Sequence, residues 1–179
     1  MKSNADIINS LYEHFFAIYQ LWQDKQSSAL CKKMLENDVL MIGFHFAKTD
    51  EFGQIAKFSL VCEAIAFIRM IDNPVHNYKI LDYWTDIVME ELQDTHLKAS
   101  RACKQPEEQV VAQLETWQLV NILHQKNLID EKHIENYLQT MMRLLDLFIM
   151  YDGNVTEIEI NILRNFEDAL KQTLNISCN

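Results

Sequence analysis

Asp152, Asn154, Glu157 and Glu159 crowd oxygen donors into one short stretch, Ile149-Met150-Tyr151-Asp152-Gly153-Asn154-Val155-Thr156-Glu157-Ile158-Glu159-Ile160. Asp152, Asn154 and Glu159 are the candidate ligands for a hard divalent cation. Calcium takes roughly six to eight oxygens, so backbone carbonyls would have to complete such a site. Glu159 would also have to choose between the ion and the cap of its own helix. The competing reading is a well-capped helical turn with no ion. An EF-hand is excluded, because positions 148 to 152 hold a single acid, Asp152.

Other reactive side chains are scattered. His14, His45, His76, His96, His124 and His133 form no H-x-x-x-H, H-E-x-x-H or E-x-x-H pattern. His45, between Phe44 and Phe46, reads as a core or interface histidine. Cys31, Cys62, Cys103 and Cys178 make no C-x-x-C pair and no zinc spacing. They read as reduced thiols, three on helices and one on a tail, which fits a cytoplasmic location. There is no G-x-S-x-G and no phosphate-cradling glycine loop in a chain with three glycines. An enzyme would have to bring Asp50 and Asp152 together as a carboxylate pair from two interhelical turns.

The elements that must position these residues are helices. Apolar residues recur at helical spacing almost throughout, and seven helices are expected. The first runs from about Ala5 to Asp24, with Ile7, Ile8, Leu11, Phe15, Ile18 and Leu21 or Trp22 as its stripe. The second runs from about Ser27 to Ala47, and its apolar half, Val39 to Phe44, belongs at the centre. The third, Gln54 to Met70, carries Ile55, Phe58, Val61 or Cys62, Ile65 and Ile68, and makes with the second a buried central pair. Asp72-Asn73-Pro74 is a turn signal. The fourth runs from about Tyr78 to Lys104, with a polar second half (Gln93 to Lys104) and an acidic run of Asp86, Glu90, Glu91 and Asp94. That run reads as a solvated face or as a docking face for a basic partner. The fifth begins at Pro106 and ends near Asn127. The sixth is capped by Asp130 and stapled by Ile129 and Ile134, and runs to about Tyr151. The seventh spans Glu157 to about Leu174, and residues 175–179 fray. Trp84 and Trp117 read as core anchors. Met89, Met141, Met142 and Met150 either line an adaptable groove or fill a loosely packed core.

Composition agrees. The chain of 179 residues is 49% hydrophobic and 23% charged, with only three glycines and two prolines. Those are globular values, and so few turn-formers suit long helices better than many strands. The expected architecture is an all-α, single domain over 1–179: an N-terminal helix at 1–25, a core at 27–174 and a short tail. Twenty-six acids against sixteen bases leave a net charge of −10, which disfavours nucleic acid and anionic membrane surfaces. The N-terminus lacks the basic region and apolar block of a signal peptide. No window reaches the about 18 uncharged apolar residues of a membrane span.

The Asp152 stretch itself specifies a tight turn. Gly153 can take the left-handed conformation that ends a helix. Thr156 and Glu159 stand three apart, the spacing of a capping box, with Val155 and Ile160 in the staple positions. With Asp152, Gly153, Thr156, Glu157 and Glu159 in this order, the segment resembles the tellurite-resistance TerB-like family, whose hallmark is an Asp-Gly helix end, a Ser/Thr cap and an acidic cluster. The resemblance covers roughly 25 residues. A counterpart in the first half, Phe46 to Ile55, has Asp50 and Gly53 but a stretched spacing, with Lys57 and Ser59 where the pattern has acids. The resemblance implies an all-helical TerB-like domain, a divalent ion at the acidic positions, and a place in bacterial stress or membrane-linked assemblies.

Two functions follow as expectations. One is a non-enzymatic TerB-like module that binds protein partners, its Asp152 turn tuned by a divalent metal ion. The other is a small acidic adaptor or chaperone for the secretion substrates of a bacterium, favoured by charge, size and methionine content. Neither involves nucleic acid or membrane insertion.

Overall fold

The computed structural model describes residues 3–22, 28–49, 53–71, 78–101 and 105–176. These form eight α-helices and no strand: α1 (Asn4–Trp22), α2 (Ser28–Thr49), α3 (Gln54–Met70), α4 (Tyr78–Arg101), α5 (Glu107–Gln113), α6 (Glu115–Gln125), α7 (Glu131–Met150) and α8 (Glu157–Ile176). No helix among the described residues is long and apolar enough to cross a membrane. The Asp72-Asn73-Pro74 turn, Asp50, His76, Cys103 and Cys178 lie outside the described residues.

The central helix is α2, which touches each of the other seven. Its buried residues include Leu35, Val39, Ile42, Phe44 and Phe46. This agrees with the apolar run at 39–44. Gly43 makes the close approach possible. A Cβ there would stand 2.1 Å from Val61 Cγ2 on α3 and 2.9 Å from Phe148 Cε1 on α7. Phe46 stacks on Phe148 and tilts against Phe166 of α8, so three helices meet along one side of α2. On the N-terminal side, Phe15 of α1 packs on Tyr137 of α7, and Tyr137 stacks on Trp117 of α6. The α4 helix lies at the edge, against α3 and α2.

Several expectations are corrected. The single helix expected from Pro106 to Asn127 is two helices, broken at Leu114, whose backbone is extended (φ −68°, ψ 113°). The apolar rhythm runs through the break, because Val110, Val111, Leu114 and Trp117 are all buried, so periodicity conceals it. Pro106 precedes α5 rather than opening it. Leu21 and Trp22 are exposed, and α1 instead buries Tyr12 and Tyr19 beside Ile8, Leu11, Phe15 and Ile18. Trp84 is half-buried and meets Tyr83 edge-on, so of the two tryptophans only Trp117 anchors the core. The α8 helix continues to Ile176, past residue 175, the expected start of fraying, and residues 177–179 lie outside the described residues. The largest inversion is on α3. Ile55, assigned to the buried stripe, is 84% exposed, while Lys57 is fully buried.

Candidate functional site: a buried lysine under the α7–α8 turn

The turn between α7 and α8 is built as its residues dictate. Gly153 takes φ +75°, with no atom within 4 Å of where a Cβ would stand. Its N–H donates to the Met150 carbonyl at 3.1 Å, closing the end of α7. Asp152 Oδ1 accepts from the Asn154 N–H at 3.0 Å. Thr156 and Glu159 complete the expected capping box: Glu159 N–H donates to Thr156 Oγ1 at 3.2 Å, and Thr156 N–H donates to Glu159 Oε2 at 2.9 Å. The Asp130 cap of α7 also forms, with His133 N–H donating to Asp130 at 3.0 Å, and the staple residues Ile129 and Ile134 are both buried. Val155, in the staple position before α8, is exposed.

Asp152 and Glu159 thus each keep one oxygen for their own backbone. The other oxygen faces Lys57. Lys57 Nζ lies 2.7 Å from Glu159 Oε1 and 3.7 Å from Asp152 Oδ2. The Lys57 and Glu159 side chains have no solvent exposure, and Asp152 keeps a fifth of its surface open to water. The Lys57 ammonium makes no aligned hydrogen bond, so the attraction is that of charge at short range. Tyr151 ties the turn to α3 a second time, its hydroxyl donating to Glu63 at 3.0 Å. Burial, reinforced by the Glu63 charge, raises the Tyr151 phenol above its ordinary pKa. A buried ion pair adds little net stability over an apolar pair, but removing one partner is costly because it strands the other charge.

Of the three predicted ligands, the structure brings together Asp152 and Glu159. Asn154 is exposed and enters through its backbone N–H. The donor set does not fit a divalent ion. Two carboxylate oxygens are committed to the backbone, and an ammonium group stands against the remaining two. Among the described residues there is no group of three or more His, Cys, Asp or Glu that could hold a metal. Asp152 therefore stands beside Lys57, and Asp50, its partner in the expected carboxylate pair, lies outside the described residues.

A second buried polar cluster escaped the sequence reading altogether. Asp38 of α2 supplies the cap that α6 lacks. Its Oδ1 accepts from Glu115 N–H at 2.8 Å and its Oδ2 from Thr116 N–H at 3.0 Å. The Thr116 hydroxyl donates to the same carboxylate and also meets the Tyr137 hydroxyl. Burial pushes the Asp38 carboxyl up to about 7, against the opposing effect of the hydrogen bonds from Thr116 and Glu115. Burial and the Asp38 charge together raise the Tyr137 phenol well above its ordinary value. Asp38 leaves no local signature because its partners lie 77 and 78 residues away in sequence.

Other reactive groups among the described residues are buried or paired. His45 Nε2 lies 3.9 Å from Glu107 Oε2, its ring edge-on to Phe166. Burial holds its pKa below the ordinary imidazole value, against the pull of Glu107. Cys31 and Cys62 are buried thiols pushed up to about 11 and about 12 by desolvation, which suppresses thiolate chemistry. Arg69 bridges Glu36 of α2 and Glu91 of α4, at 3.1 and 3.0 Å. Asp86, Glu90 and Asp94, like Glu91, are exposed. No protein-family model, no curated protein and no solved structure matches the chain.

Proposed function

We propose that this chain is a non-enzymatic, TerB-like interaction module that docks a protein partner at the α7–α8 turn. The observation that carries the reading is the exposure of apolar side chains there. Met150, Val155 and Ile158 are all exposed within nine residues of chain. Ile55 is exposed on the first turn of α3, two residues before the lysine that packs beneath the same turn. Apolar groups clustered on a surface and edged by charge, here Asp152 and Glu157, mark binding faces more often than isolated ones do. The resemblance of the Asp152–Glu159 segment to the TerB-like family supports an assembly role in bacterial stress or membrane-linked complexes. The engagement of Asp152 and Glu159 with Lys57 and with their own backbone supports a binding role for this turn.

A tagged pull-down from native extract, read by mass spectrometry, tests the proposal. Wild type should return a reproducible partner set. Ile158→Asp and Val155→Asp should lose it while keeping wild-type helicity, since exposed substitutions of this kind cost no more than about 0.5 kcal/mol of stability. Retention of the same partners by both variants refutes docking at this turn, and an empty wild-type pull-down refutes the interaction module.

A further inference from the structure

We infer that the Lys57 ammonium is the resident cation of the Asp152–Glu159 turn, a side-chain substitute for a bound metal ion, and that removing it converts the turn into a divalent-cation site. Lys57 reaches the turn from another helix, α3, and its Nζ stands within 4 Å of one free oxygen from each carboxylate. It is fully buried and is not held there by an aligned hydrogen bond. The carboxylates are independently oriented by the backbone, Asp152 through Asn154 N–H and Glu159 through Thr156 N–H. Two preorganised carboxylate oxygens converging on one positive charge supply the anionic part of a cation site, and with the lysine gone water entering from the Asp152 side would supply the further oxygens a divalent ion takes. Here the charge is covalently attached, so it is present whatever the metal supply and cannot be removed by a chelator. Asp152 opens the cluster to solvent on one side, which gives an ion an entry route once the lysine is gone. The inference stands whether or not the turn docks a partner.

Thermal melting and terbium luminescence test it, with Tyr151 beside Asp152 as the sensitising tyrosine. Wild type should melt at the same temperature with calcium or with chelator and should give no sensitised terbium emission. Lys57→Ala should melt about 10 °C lower, the effect expected of stranding a buried charge in a chain of this size. It should recover part of that loss with calcium and bind terbium, and Lys57→Ala combined with Asp152→Asn should bind none. Lys57→Met, which refills the space, should stay silent to both metals. Wild-type terbium emission that disappears on Asp152→Asn overturns the inference, as does a folded Lys57→Ala that ignores both metals. If Lys57→Ala does not fold, Lys57→Met combined with Glu159→Gln decides. This neutral pair keeps the shape and the capping box, so it should fold and stay metal-silent. Its failure to fold, or metal binding by it, overturns the inference.

Discussion

At the scale of single residues, the molecule depends on a few positions whose neighbours leave no choice. Gly43 is one. An alanine there would place its Cβ 2.1 Å from Val61 Cγ2 and 2.9 Å from the Phe148 ring, and both neighbours are buried. Overpacking of this kind costs about 1–3 kcal/mol. Gly43→Ala should therefore lower the urea midpoint without changing the slope of the transition. Gly153 is the opposite case. Space is open around it, and only its left-handed backbone resists a side chain. Both glycines matter, one through packing and one through conformation. The sequence distinguishes them only partly: an Asp-Gly pair between two helical runs announces a turn, but a glycine inside an apolar helix does not say which neighbours press on it.

At the scale of elements, α6 shows how a helix can be started from outside its own segment. Leu114 contributes no capping side chain, and the carboxylate that receives the first free N–H groups belongs to α2. Asp38 also carries a pH signature. Its unfolded value is that of an ordinary carboxyl, 3.8, and burial lifts the folded value to about 7. Between those limits the folded state holds the proton more tightly than the unfolded state, so this group makes stability fall as pH rises from about 4 to about 7. Asp38→Asn keeps one acceptor for the α6 N-terminus but cannot ionise. It should be less stable than wild type at pH 5, and that deficit should shrink toward pH 8, as measured by urea unfolding across the range. A deficit that does not change with pH would show that Asp38 does not titrate in this window.

At the scale of the whole molecule, α2 binds the architecture together, since each of the other helices packs against it. The N-terminal aromatic cluster of Phe15, Trp117 and Tyr137 and the cluster of Phe46, Phe148 and Phe166 share α7 as a wall. With α7 common to both clusters, the two should be lost together. Far-UV and near-UV circular dichroism should give coincident thermal transitions. A near-UV transition several degrees below the far-UV one would show that the aromatic clusters melt before the helices. The edge helix α4 is the region to open first, because among the described residues its main packing is on α3 and α2 and it exposes Tyr83 and its acidic run.

What the amino-acid sequence determined by itself was whatever depends on neighbours three to seven positions away. Helical class follows from apolar spacing. The Thr156–Glu159 box, the Gly153 turn and the Asp130 cap follow from side chains that reach only their own backbone. What the tertiary structure alone decided was how charges were paired. Lys57 reads locally as a polar interruption of an apolar face, and Ile55 as part of that face. Their burial is reversed because Asp152 and Glu159, far along the chain, offer the ammonium a site that water would otherwise have to supply. Asp38 is the same case with the sign changed: a carboxylate inside an apolar helix, accepted there because a distant helix presents its unpaired N–H groups. Local hydrogen bonds are encoded by spacing, but the cost of burying a charge is offset only by a partner that folding brings near.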